Sequence, residues 1–205
     1  MERFEISIPR IRSLATVVLA VLAAVLLAGT HSFLKAQMAD LRYNIGTPVL
    51  ADLWVDPVNG NDSNSGTARA QALRTIGAAW RLIPSGAALA DTGYRINLFP
   101  GTFPCEGNCQ NFFGDRAGTF QFPIIIRPAD GRGTVTIEGG LNLSQVRYLY
   151  LSDLNIVAGG AAGTFSNDVI QCTQCDHVLM RGLTVTGLNR DEFQEVIKSN
   201  QSQDL

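Results

Sequence analysis

The 205-residue chain reads as an all-β solenoid with one short capping helix near its N-terminal side. Three observations carry that reading. Short apolar runs recur from Leu53 onward, each closed by Gly, Asn, Asp, Ser or Pro. Those runs repeat against one another at nearly constant offsets. Helical periodicity is confined to one internal segment, apart from an apolar signal or anchor helix expected before the solenoid.

The chain opens with Arg3, Arg10 and Arg12 ahead of LATVVLAVLAAVLLAG, an uncharged run from Leu14 to Gly29. A basic start followed by a short apolar run is the layout of a secretory signal peptide. A spanning helix wants about 20 apolar residues, which this run reaches only by extending through Phe33 and Leu34, with Lys35 as the outer flank. Residues 1–35 are therefore expected to be a signal peptide or a membrane anchor, 36–52 a linker, and 53–205 the solenoid domain. Either leader implies an extracytoplasmic protein, secreted, periplasmic or cell-surface, held by residues 14–34 and in contact with the membrane if uncleaved. A net charge of −2 with 17% charged residues leaves no clustered basic face for nucleic acid.

From Leu53 the text becomes LWVDPVNGNDSNSGT, a strand followed by a dense turn cluster. Gly, Asn, Asp and Ser suit such loops because they accept positive φ or bond their own backbone. Next, Leu73, Ile76, Ala79, Trp80 and Ile83 fall on one helical face. Thr75 is placed to cap that helix, and Pro84 and Gly86 to end it. Seven apolar runs follow: Arg95–Phe99, Pro123–Arg127, Thr134–Glu138, Tyr148–Leu151, Leu154–Val157, His177–Met180 and Leu183–Val185. Strands this short are not stable as isolated hairpins. They would fit a β-sandwich, or they would stack.

Stacking is visible as a repeat. Leu141–Val157 aligns without gaps on Ile170–Thr186, so that Leu141 meets Ile170, Leu143 meets Cys172, Val146 meets Cys175 and Leu149 meets Val178. Placing Ile197 under Ile170 puts Gln145, Gln174 and Gln201 in one column, and Tyr148, His177 and Asp204 in another. A period in this range is the signature of a solenoid whose coils cannot bury their apolar faces alone. Identical amides in a column can hydrogen-bond along the stack.

Four segments taken in order, VDPVNGNDSNSGT, LRTIGAAW, INLFPGTF and FPIIIRPADGRGTVTIEGG, resemble the opening of right-handed parallel β-helix proteins of the pectate-lyase-like superfamily. The resemblance runs from Leu53 to Leu205, with an insertion around Pro104–Gln121. It implies a right-handed parallel β-helix behind a short capping helix, a polysaccharide partner that is acidic in the lyases, and β-elimination assisted by Ca2+ if the full-length form is active. The alternative is a non-catalytic surface module that binds glycan or serves as a stalk. The third coil breaks off at Gln203-Asp204-Leu205, where aligned coils begin a strand, so a truncated solenoid is expected.

Candidate chemistry is sparse. Asp56 and Asp62 lie in a loop that reads as a turn scaffold, since a hard cation wants more carboxylates at close spacing. Cys105 and Cys109 suit a local disulfide in an oxidising compartment, whereas Cys172 and Cys175 occupy interior columns as small apolar residues. His177 is expected to be structural. Asp191, Glu192, Glu195 and Lys198 gather in DEFQEVIK. Asp191, Glu192 and Glu195 are the candidate metal carboxylates there, and Lys198 with Glu195 the candidate catalytic pair, because β-elimination needs a neutralised uronate and a base of lowered pKa. The same segment also reads as an exposed helical turn in which Glu195 and Lys198 pair at i,i+3. No organic cofactor is implied.

Overall fold

The β-branched and leucine-rich runs form strands, and the turn residues between them mark the corners of a coil. In the computed structural model, residues 45–105, 111–158, 168–187 and 195–205 are described, and Gly46–Leu205 forms one compact unit. The apolar leader and the expected signal or anchor helix lie outside the described residues. Among the described residues no helix is long and apolar enough to cross a membrane.

Thirteen strands are named within the described residues. They are β1 (Leu50–Val55), β2 (Gly93–Leu98), β3 (Gly101–Phe103), β4 (Asn111–Gly114), β5 (Ile124–Pro128), β6 (Val135–Glu138), β7 (Leu141–Ser144), β8 (Arg147–Ser152), β9 (Asn155–Val157), β10 (Ile170–Thr173), β11 (Asp176–Arg181), β12 (Thr184–Thr186) and β13 (Ile197–Asn200). They sort into three sheets, paired parallel throughout. Sheet 1 runs β1-β2-β5-β8-β11, sheet 2 runs β3-β6-β9-β12, and sheet 3 runs β4-β7-β10-β13. Each turn of the chain from β2 onward therefore gives one strand to each sheet in the same order. This is a parallel β-solenoid.

Its core is a set of ladders. Leu53, Ile96, Ile126, Leu151 and Met180 stack through sheet 1. Phe103, Ile137, Ile156 and Val185 stack through sheet 2. Phe113, Leu143, Cys172 and Ser199 stack through sheet 3. Alternation along each strand sends these side chains inward, and most are wholly buried. Each fully buried Leu or Ile contributes about 1.5–3 kcal/mol relative to exposure. The sequence alignment of Leu141, Leu143 and Leu149 with Ile170, Cys172 and Val178 is the register found. Cys172 and Cys175 are both buried, as core packing requires.

The helix α1 (Ile76–Leu82) covers the first coil. Thr75 caps it, its hydroxyl accepting from the Ala78 N–H at 3.0 Å. Asp62 in turn accepts from the N–H groups of Arg74 and Thr75 at 2.8 and 2.9 Å and from the Thr75 hydroxyl at 2.8 Å. Trp80 donates its indole N–H to the Gly114 carbonyl at 3.1 Å and packs on Phe113, tying the cap to β4. Gly60 sits where a Cβ would fall 2.1 Å from the Leu73 carbonyl oxygen, so only glycine fits that approach.

Two parts of the sequence reading are corrected. The stretch expected to be an insertion around Pro104–Gln121 contains β4, a regular member of sheet 3. Its polar neighbours and the cysteines beside it hide a strand that only the stack reveals. In DEFQEVIK, the described end leads into the strand β13 and not into a helical turn, because Ile197 pairs with Ile170.

Corners between sheet 3 and sheet 1 carry two columns of left-handed residues. Asp115, Gln145, Gln174 and Gln201 have φ of 58°, 54°, 55° and 50°. Tyr148, His177 and Asp204 have φ of 48°, 53° and 51°. Left-handed backbone costs a non-glycine residue about 1–2 kcal/mol. In the first column amide bonds offset part of that cost, Gln145 donating to Gln174 at 2.9 Å and Gln174 to Gln201 at 3.3 Å.

Candidate functional site

Where sheet 2 hands over to sheet 3, three of the four connections are long in sequence, at residues 104–110, 158–169 and 187–196, while only Gly139 and Gly140 join β6 to β7. Long connections that recur at one corner of a solenoid often border the face on which it works. The outer face of sheet 3 begins at that corner.

Its outward positions form columns. Phe112, Asn142, Gln171 and Lys198 pair in succession, and beside them Gly114, Ser144, Thr173 and Asn200 do the same. The glutamine column follows at the next corner. The surface is thus a strip of amides and hydroxyls, closed at one end by an aromatic ring and at the other by an amine. Successive coils repeat at about 4.8 Å, the strand spacing of a sheet.

At the capped end the strip opens into a cleft of about 260 Å³, lined among others by Arg74, Arg81, Phe103, Asn111 and Phe112. Phe112 is 58% exposed, while its neighbour Phe113 turns inward to Trp80. Arg74 and Arg81 are exposed. The cleft is smaller than the usual ligand pocket, and suits one ring of an extended ligand. Asn111 is fixed by donating to the carbonyls of Glu138 and Gly140 at 2.7 and 3.0 Å.

The other end holds part of the predicted acidic group. Lys198 lies 3.4 Å from both Glu195 and Asp168. Asp168, 9% exposed, also accepts from the Glu195 N–H at 3.0 Å. Hydrogen bonding to Asp168 is the main reason the Lys198 amine is held above its ordinary pKa. A base for proton abstraction requires the opposite shift. The i,i+3 pairing of Glu195 with Lys198 is formed. Asp168 escaped the sequence reading, although it precedes Ile170 as Glu195 precedes Ile197 and so falls in the same column.

Asp191, Glu192 and Cys109 lie outside the described residues, so the predicted carboxylate trio and the Cys105–Cys109 bridge are not described here. Cys105 is half-buried. Asp56 and Asp62 are turn-forming. Burial pushes both carboxyls up, but hydrogen bonds from Asn59 and Val58 to Asp56, and from Thr75 and Arg74 to Asp62, bring them below their ordinary values. Their oxygens serve the turn and the cap.

No protein-family model and no curated protein sequence matches the chain. Among solved structures it is similar to one titled rhamnogalacturonan lyase, at 13% identity and a TM-score of 0.43, over 69% of this chain and 38% of that one. A likeness this distant leaves the activity to be argued from the chain's own residues.

Proposed function

We propose that this protein is an exported right-handed parallel β-helix of the pectate-lyase-like kind, which holds a polysaccharide along the outer face of sheet 3. The observation that carries the proposal is the strip itself: Asn142, Ser144, Gln171, Thr173 and Asn200 in register, ending on exposed Phe112. Amides and hydroxyls exchange hydrogen bonds with sugar hydroxyls without the desolvation cost of charge. An aromatic face packs against the apolar face of a sugar ring. The handedness follows the strong rule for parallel crossovers, and the four-segment resemblance and the basic-then-apolar leader support the superfamily and export.

Arg74 and Arg81 favour an acidic glycan at the cleft, since guanidinium groups bind carboxylates in a forked geometry. Binding without catalysis is the better account of this surface, because Lys198 is held protonated by Asp168 and Glu195. Affinity electrophoresis against polygalacturonate and against a neutral glucan tests the reading. Retention is expected on the acidic polymer, and Phe112→Ala should weaken it about tenfold, equivalent to about 1.4 kcal/mol for one ring contact. Equal mobility with and without either polymer would remove the proposal. Release of an unsaturated uronate on adding Ca2+ would instead establish β-elimination.

A further inference from the structure

We propose that His177 and Asp204, with Asp176 as positioning carboxylate, form a binding site for a divalent transition metal of the zinc class at the corner between sheets 3 and 1. The three groups come together because the coils are in register. Asp176 opens β11 and His177 follows it, while the next coil places Asp204 under His177 through the bond from the Val178 N–H to the Asp204 carbonyl. Ligand atoms of all three lie within 4.8 Å of one another, the one such group among the described residues.

The imidazole is oriented from two sides. Its Nδ1 lies 2.5 Å from Asp176 Oδ1. Tyr148 stacks on the ring at 4.3 Å and 23°. Asp176 is itself held by Arg147, whose Nε donates to Oδ2 at 2.9 Å. A neutral histidine that donates Nδ1–H to Asp176 turns its Nε2 lone pair toward Asp204 Oδ2, 3.6 Å away. Two acceptors then face each other, and an electron-deficient centre fits between them. That separation is long for an N–H···O bond. It is near the ~3.4 Å between two ligands of a tetrahedral zinc bound at about 2.0–2.1 Å. A carboxylate on the far nitrogen of a ligating histidine is the arrangement that fixes tautomer and raises basicity. The column differs from its neighbour, where glutamine repeats in three successive coils: here Tyr148, His177 and Asp204 each bring different chemistry at the same left-handed corner.

Titration of the full chain with ZnCl2 by calorimetry, and with CoCl2 by absorption, tests the site. One equivalent is expected to bind, with a cobalt ligand-field band and no thiolate charge-transfer band. His177→Ala and Asp204→Asn should each weaken zinc at least tenfold, and CaCl2 should not compete. His177→Asn, which tolerates the left-handed backbone, serves as second variant if the alanine protein does not fold. Undiminished affinity in the folded His177 variant, a thiolate band, or no heat with zinc would each overturn the site.

Discussion

Asp52 and Gln174 show how much single side chains do on a surface this regular. Arg95 clasps Asp52 with Nε and Nη2 at 2.6 and 2.9 Å, and Asn97 donates to the same carboxylate at 2.7 Å. The Arg95 hydrogen bond is the main reason the Asp52 carboxyl is held below the usual range, against the upward push of burial. A carboxyl depressed in the folded state adds stability above the unfolded pKa of about 3.9 and loses it as pH falls through the folded value. Melting temperature should therefore fall less steeply below about pH 4 in Asp52→Asn than in the parent. Parallel pH profiles would cancel the assignment. At Gln174, valine removes two amide bonds and puts a β-branched side chain at φ of 55°. Gln174→Val should cost about 2–3 kcal/mol in urea unfolding, whereas a loss below about 0.5 kcal/mol would show the ladder to be ornamental.

Among the elements, α1 depends on its first turn. Thr75 accepts from Ala78 and is held in place by Asp62. Thr75→Ala should cost about 1 kcal/mol, and Asp62→Ala a similar amount, because it leaves two backbone N–H groups without their acceptor. The double variant should cost less than the sum, since the two residues share one network. Strict additivity in denaturant melts would separate them. This helix was legible because its cap, apolar face and terminating proline agree. The strands β7, β10 and β13 were legible through the glutamine column, since a period of 29 and then 27 residues repeats identical amides. The strand β4 was not, because adjacent phenylalanines face opposite ways and no local pattern says which turns inward. Phe112 was missed for the same reason. Asp168 was missed because its partner Lys198 is brought near only by the stacking of two coils.

For the whole molecule, stability should be graded along the stack. Central ladders such as Ile126 and Leu151 are buried from both sides, while Ile197 occupies an interior column at 49% exposure. Solenoid stability is a sum of coil terms and nearest-neighbour interfaces, so opening costs least where an interface is thin. Amide exchange should be slowest in β5 and β8 and faster by orders of magnitude in β12 and β13. Uniform protection would mean that the unit melts as a block. The proposed export rests on the basic-then-apolar leader, and fractionation of a tagged full chain would test it.

The corner between sheets 2 and 3 has a practical corollary. In sheet 3, β10 keeps register with both β7 and β13, although the connections 158–169 and 187–196 differ in length. The winding of the strands does not register that difference, as a spool does not register slack thread. Foreign peptides grafted into these two connections should leave the strands in register, with their points of attachment one rung apart. The protein is thus a ready-made rack for holding short epitopes at sub-nanometre spacing.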